Sequence, residues 1–132
     1  MENFLTLLRA ARESELEIRA EVEHIERLHR ILKIPHRSAE YAANMTEKLT
    51  LLERELNDCI DNAYDRKREA LACLSVLVGN ERTVLYRYYI LGEDWRRIAD
   101  TMFLSERSVF NLRKSALDKL AASAGIHNAT GA

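Results

Sequence analysis

Between positions 105 and 114 the chain reads Ser-Glu-Arg-Ser-Val-Phe-Asn-Leu-Arg-Lys, a run of groups suited to the edges of base pairs. A carboxylate such as Glu106 can accept a hydrogen bond from a cytosine amino group, and Arg107 can reach guanine or a phosphate. Asn111 matches the donor and acceptor pair of adenine, and Phe110 can meet a thymine methyl. Arg113 and Lys114 add positive charge to the same run. Arg96 and Arg97 lie ten residues earlier, where contact with a phosphate backbone would fix register without reading sequence. Between 95 and 120 these five bases and Lys119 stand against Asp100, Glu106 and Asp118. A basic run can be an ordinary solvated helix face, and Phe110 can pack against other helices of the chain or against a partner.

Other chemistries find less support. His24, His29, His36 and His127 lack the spacing of a helical metal pair and read as surface residues. Cys59 and Cys73 are not in a CxxC pair. On one helix they would stand about 21 Å apart, too far for a disulfide, so they read as reduced core thiols. There is no phosphate-binding glycine loop and no nucleophile elbow. Tyr86, Tyr88 and Tyr89 read as core packing before base-stacking platforms. Neither an enzyme nor a cofactor is expected.

The base-reading run needs a frame, and the flanking residues supply one. Asn80 is an N-cap candidate for a helix that buries Val84, Leu85, Tyr89 and Ile90 and stops at Gly92. Asp94 caps a short helix over 95–102, with Trp95, Ile98, Ala99 and Met102 turned inward. Ser105 caps a third helix reaching about Ala121, with Val109, Leu112, Ala116, Leu117 and Leu120 on its inner side. Short helix, tight turn and amphipathic helix make a helix-turn-helix. Small Ala99 lets the two helices cross closely. The outer face is then Glu106, Arg107, Phe110, Asn111, Arg113 and Lys114, on a rod that fits a major groove. Phe103 occupies a turn position where positive φ is strained for a bulky residue. Either the turn is remodelled or the ring makes an offsetting contact.

Upstream, Leu5, Leu8, Ile18, Val22, Ile25, Leu28 and Leu32 recur mainly by three and four, predicting a helix from Asn3 to about Ile34, ended by Pro35. A second helix is expected from the N-cap Ser38 to Val78, with Gly79 as its C′ residue. Ala42, Leu49, Leu56, Ala63, Ala70 and Leu77 repeat every seven residues, accompanied by Met45, Leu52, Cys59 and Cys73 and broken by Arg66. This diluted coiled-coil seam can fold back on the first helix as a hairpin, or pair with another chain.

The stretch Glu81-Arg-Thr-Val-Leu, Tyr89-Ile-Leu-Gly92, Asp94-Trp-Arg-Arg-Ile98-Ala99, Leu104-Ser105-Glu-Arg-Ser-Val109, Ala116-Leu117 and Lys119-Leu120 resembles region four of bacterial sigma factors. The resemblance covers about 42 of the 132 residues. With the long helical leader, the chain also resembles small phage and prophage sigma-like regulators, including late-transcription activators of the ArpU type. Residues 1–79 do not resemble the sigma region that melts promoter DNA. In sigma factors the recognition helix commonly continues Arg-Glu after its serine and Arg-Gln a turn later. Here those places hold Glu106-Arg107 and Phe110-Asn111, so the usual promoter −35 element is not the expected target.

The composition agrees with an all-α chain, having 4 glycines, 1 proline and abundant Leu, Ala, Glu and Arg. The expected plan is a long helical hairpin or coiled coil over 1–79, a compact three-helix unit over 80–121 and a flexible tail over 122–132. The uncharged, apolar run Ala70 to Asn80 is too short to span a membrane, and a cytoplasmic protein is expected. Residues 80–132 hold 8 bases and 6 acids, a weak electrostatic footprint for a DNA binder. The resemblance implies a sequence-specific regulator on double-stranded DNA, and the weak charge and the long helical stripe lead to the expectation that the N-terminal helices add homo-oligomerisation or RNA polymerase docking. A protein–protein adapter without DNA readout is the second expectation. A purely structural coiled coil would leave the C-terminal pattern unexplained.

Overall fold

The computed structural model describes the backbone of residues 3–35 and 38–131, with side chains up to Ala124. His36 and the side chain of His127 lie outside the described residues. The chain is all-α, as its composition predicts. Helix α1 spans Phe4–Leu32 and α2 spans Ala39–Leu74. Helix α3 covers Gly79–Leu85 and runs directly into a π-helical turn, Tyr86–Ile90; α4 is Trp95–Met102 and α5 is Glu106–Gly131.

Local chemistry starts these helices where short polar side chains can take an orphan backbone N–H. The Asn3 side chain accepts from the Thr6 N–H at 2.9 Å, Ser38 from Tyr41 at 3.1 Å and Asp94 from Arg97 at 2.8 Å. Ser105 does the same for Ser108 at 3.0 Å, setting the first turn of α5. Three expected boundaries move. Helix α2 ends at Leu74 rather than Val78, because Ser75 and Leu77 turn back onto the carbonyls of Ala72 and Leu74. That turn drives Leu77 into the core and leaves Val76 and Val78 exposed. Helix α3 consequently begins at Gly79, with φ +61, and no side chain caps it, so Asn80 does not serve as the N-cap. At the far end α5 continues to Gly131, past the Ala121 expected from the inward pattern. Ala121, Ala122 and Ala124 favour helix after the core contacts stop.

Helices α1 and α2 form an antiparallel hairpin within the chain, and α1 takes the heptad stripe. Met45, Leu49, Ala63 and Ala70 are buried along it, opposite Leu8, Ala11 and Ile25. Lys67 donates to Glu15 at 2.5 Å, and His29 faces Glu53 at 3.5 Å. The proximal end of the hairpin does not stop at residue 79. Leu8, Ala11, Ala70, Leu74 and Leu77 belong to the same buried cluster as Val84, Leu85, Tyr89, Ile90, Ile98, Ala99, Val109, Ala116 and Leu120. One core thus joins the root of the hairpin to the C-terminal helices, while the outer half of the hairpin projects from it. Among the described residues no helix is long and apolar enough to cross a membrane.

Candidate nucleic-acid interface

The crossing of α4 and α5 is built as the small residue at 99 requires. Ala99 is 2% exposed and Ile98, Val109 and Ala116 are fully buried, so the backbones approach around a methyl group. The intervening turn is a Schellman motif: the Leu104 N–H donates to the Ala99 carbonyl at 2.9 Å and Phe103 to Asp100 at 3.3 Å. This pattern demands a left-handed residue between them, and Phe103 fills it at φ 57, ψ 42. The turn is therefore not remodelled. Nor does the ring find an offsetting contact within the chain, since Phe103 is 94% exposed.

Helix α5 holds Glu106, Arg107, Phe110, Asn111 and Lys114 exposed along one side. Phe110 is 56% exposed. Arg96 and Arg97 are exposed on the first turn of α4. Each has an acidic neighbour: Arg96 lies 3.6 Å from Glu106 and Arg97 lies 3.4 Å from Glu93. The Arg96–Glu106 pair is solvated on both sides and contributes little, while Glu93 is mostly buried and keeps Arg87 at 3.0 Å when Arg97 turns away, so either guanidinium can take up another anion. The Arg96–Glu106 pair also means that the acid expected to read cytosine is already engaged across the helix crossing.

Arg113 departs from the expected outer face. It is half-buried, its guanidinium carbon 5.0 Å from the Trp95 ring centre and 5.3 Å from that of Phe110. Its Nε is buried without a hydrogen-bond partner. Burial raises the Tyr89 hydroxyl pKa above its ordinary value, and the charge of Arg113 opposes that rise. The physical reason is a stack that the sequence pattern did not reveal. Trp95 lies parallel to Tyr88 at 3.8 Å, and Arg12 of α1 sits 3.8 Å from the centre of the Tyr88 ring. Arg12, Tyr88, Trp95, Arg113 and Phe110 form one continuous series through α1, the π turn, α4 and α5, each cation resting on a ring. Tyr88 and Tyr89 are packing elements, as expected, with Tyr88 as the hinge of the series, whereas Tyr86 is exposed rather than packed.

Arginines of α1 also close the end of the π turn. Arg12 donates to the carbonyls of Tyr88 at 2.7 Å and Glu93 at 2.9 Å, and Arg19 reaches those of Leu91 and Gly92. A charged donor at the carbonyl end of a helix satisfies groups that have no partner along the chain. These positioning residues lie more than 70 positions from their acceptors, beyond the reach of local periodicity. On the opposite side, Lys119 bonds Glu81 at 2.9 Å and ties α5 to the start of α3.

Cys59 and Cys73 are both free and half-buried. Burial raises each thiol pKa, and for Cys59 a hydrogen bond to Glu17 adds to the effect. Among the described residues no three His, Cys, Asp or Glu side chains are arranged to hold a metal ion. Compared with protein-family models, curated proteins and solved structures, the chain has no match.

Proposed function

We propose that this chain is a sequence-specific DNA-binding regulator of transcription, sigma-like and of phage or prophage type, acting in the cytoplasm without catalysis. The observation that carries the reading is α5 itself. Its N-terminal turns hold Glu106, Arg107, Phe110, Asn111 and Lys114 exposed together on a helix packed across α4 around buried Ala99. In this reading α5 enters the major groove, Arg107 and Asn111 contact base edges, and Lys114, Arg96 and Arg97 hold phosphates. Arg113 supports the helix from behind by its stacking and is removed from the set of direct contacts. The surplus of two positive charges in residues 80–132 is small, so a second attachment point would raise affinity through effective concentration.

Selection of bound fragments from a random duplex library tests the reading. The intact chain should enrich a motif, and Arg107→Ala and Asn111→Ala should each blur one position of it. Binding should weaken steeply with added salt, as phosphate contacts require. No enrichment at low salt would overturn direct readout.

The second reading is an adapter that docks on RNA polymerase or another regulator without DNA contact. The exposed rings of Phe103 and Phe110 favour it, because exposed aromatics are enriched at protein interfaces. Polymerase capture that survives Arg107→Ala and fails with Phe103→Ala would select this reading.

A further inference from the structure

The seven-residue stripe of α2 is already used by α1, so it is not what remains open on the hairpin. What remains is a flank. Lys48, Leu51, Leu52 and Glu55 follow the 0, 3, 4, 7 spacing of one helix face. Leu51 is 51% exposed there, and Leu28 of α1 forms the other wall of an apolar groove beside it. A two-helix arm far from the main core cannot cover this face with its own residues.

We infer that the occupant of this groove is a second copy of the same chain, docked through the same groove in antiparallel register. The order of charges along α2 selects this occupant. A twofold axis passing between positions 51 and 52 sets Leu51 against Leu52 of the second copy. The same operation sets Lys48 against Glu55 of the second copy, and it does so twice. A parallel arrangement would instead oppose lysine to lysine and glutamate to glutamate, which repel. The sequence Lys-x-x-Leu-Leu-x-x-Glu is thus self-complementary under the one symmetry that a homodimer most often uses. Leu51 of each copy enters the groove between Leu28 and Leu52 of the other, and the two hairpins together make a four-helix bundle.

The interface is independent of the DNA reading, and its test reads mass together with helicity. Sedimentation equilibrium of the full chain should give twice the 15.2 kDa of one copy. Leu51→Asp should give the single mass with helicity unchanged. Lys48→Glu and Glu55→Lys, each alone, place like charges opposite one another in two places. Each should weaken association on the order of tenfold, and the double exchange should restore it. These exposed charges are decisive even if Leu51→Asp perturbs folding. A wild-type monomer at about 100 μM, or a dimer indifferent to Leu51→Asp in a folded chain, overturns the proposal. Two weakened single variants without rescue in the double variant overturn the antiparallel register. A dimer that enriches no DNA would refute the DNA reading and leave the interface standing, while a monomer that enriches a motif would do the reverse.

Discussion

Phe103 combines two costs that proteins ordinarily avoid. It holds a left-handed backbone and exposes nearly its whole ring. The conformation is imposed from both sides, by the Schellman hydrogen bonds and by Leu104, which must pack against the core directly after the turn. Glycine would meet the same demand without a Cβ clash. Phe103→Gly should therefore raise stability by about 1 kcal/mol, seen as a higher urea midpoint with an unchanged slope. Phe103→Ala keeps the Cβ and should show no such gain. Equal gains from both substitutions would mean that the ring, and not the backbone, is the source of the cost. A stabilised glycine variant that loses its binding partner would identify what the ring is retained for. The tension at 103 was legible in the sequence because Phe103 stands at a turn position where glycine is common, and the structure resolves it as a left-handed residue. The direction of the Arg113 side chain was not, because an α5 residue at the edge of the inner face can turn either way. Here Trp95 and Phe110 supply rings on the inner side, and the guanidinium follows them.

At the level of elements, the decisive join is the one between α1 and the π turn. Local signals gave the three C-terminal helices, their caps at Asp94 and Ser105 and the stop at Gly92. They could not give the widening at Tyr86–Ile90, where Leu91 N–H bonds back five residues to Tyr86 and Glu93 N–H six residues to Arg87. This turn presents carbonyls that α1 meets with Arg12 and Arg19, a long-range event with no periodic signature. Arg12→Ala should remove charged donors from two carbonyls and one layer of the ring stack, costing about 2–3 kcal/mol in chemical denaturation. Arg12→Lys, which keeps the charge but not the flat guanidinium, should lose part of that. Gly92 marks the same join. It sits at φ +73, and a Cβ there would lie 3.0 Å from the Glu15 side chain and 3.4 Å from that of Arg19. Gly92→Ala should cost about 1–2 kcal/mol through backbone strain and disturb the Arg19 contact as well. A neutral result would show that the end of the π turn can relax away from α1.

For the molecule as a whole, the continuity of the core means that the C-terminal helices depend on the root of the hairpin. Leu8, Ala11, Ala70, Leu74 and Leu77 complete the cluster that holds Val84, Leu85, Val109 and Ala116. A fragment of residues 80–132 should consequently show no cooperative thermal transition by circular dichroism, whereas the full chain should. The same connection turns the paired hairpins into a ruler. From the Leu51–Leu52 axis to Leu74 is some 22 residues of α2, about 33 Å at 1.5 Å per residue. Since α5 packs at the Leu74 end, an antiparallel pair carries its two α5 helices about 66 Å apart, close to two turns of B-form DNA at 34–36 Å each. Library selection with the dimer should therefore enrich an inverted repeat whose half-sites are centred about 20 base pairs apart. Inserting five base pairs between them would turn one half-site to the opposite face and should remove the cooperative gain, while inserting ten should restore much of it through helical phasing. A single unrepeated motif bound by a proven dimer would show that only one α5 reaches the duplex at a time, and the second would then be free for another strand.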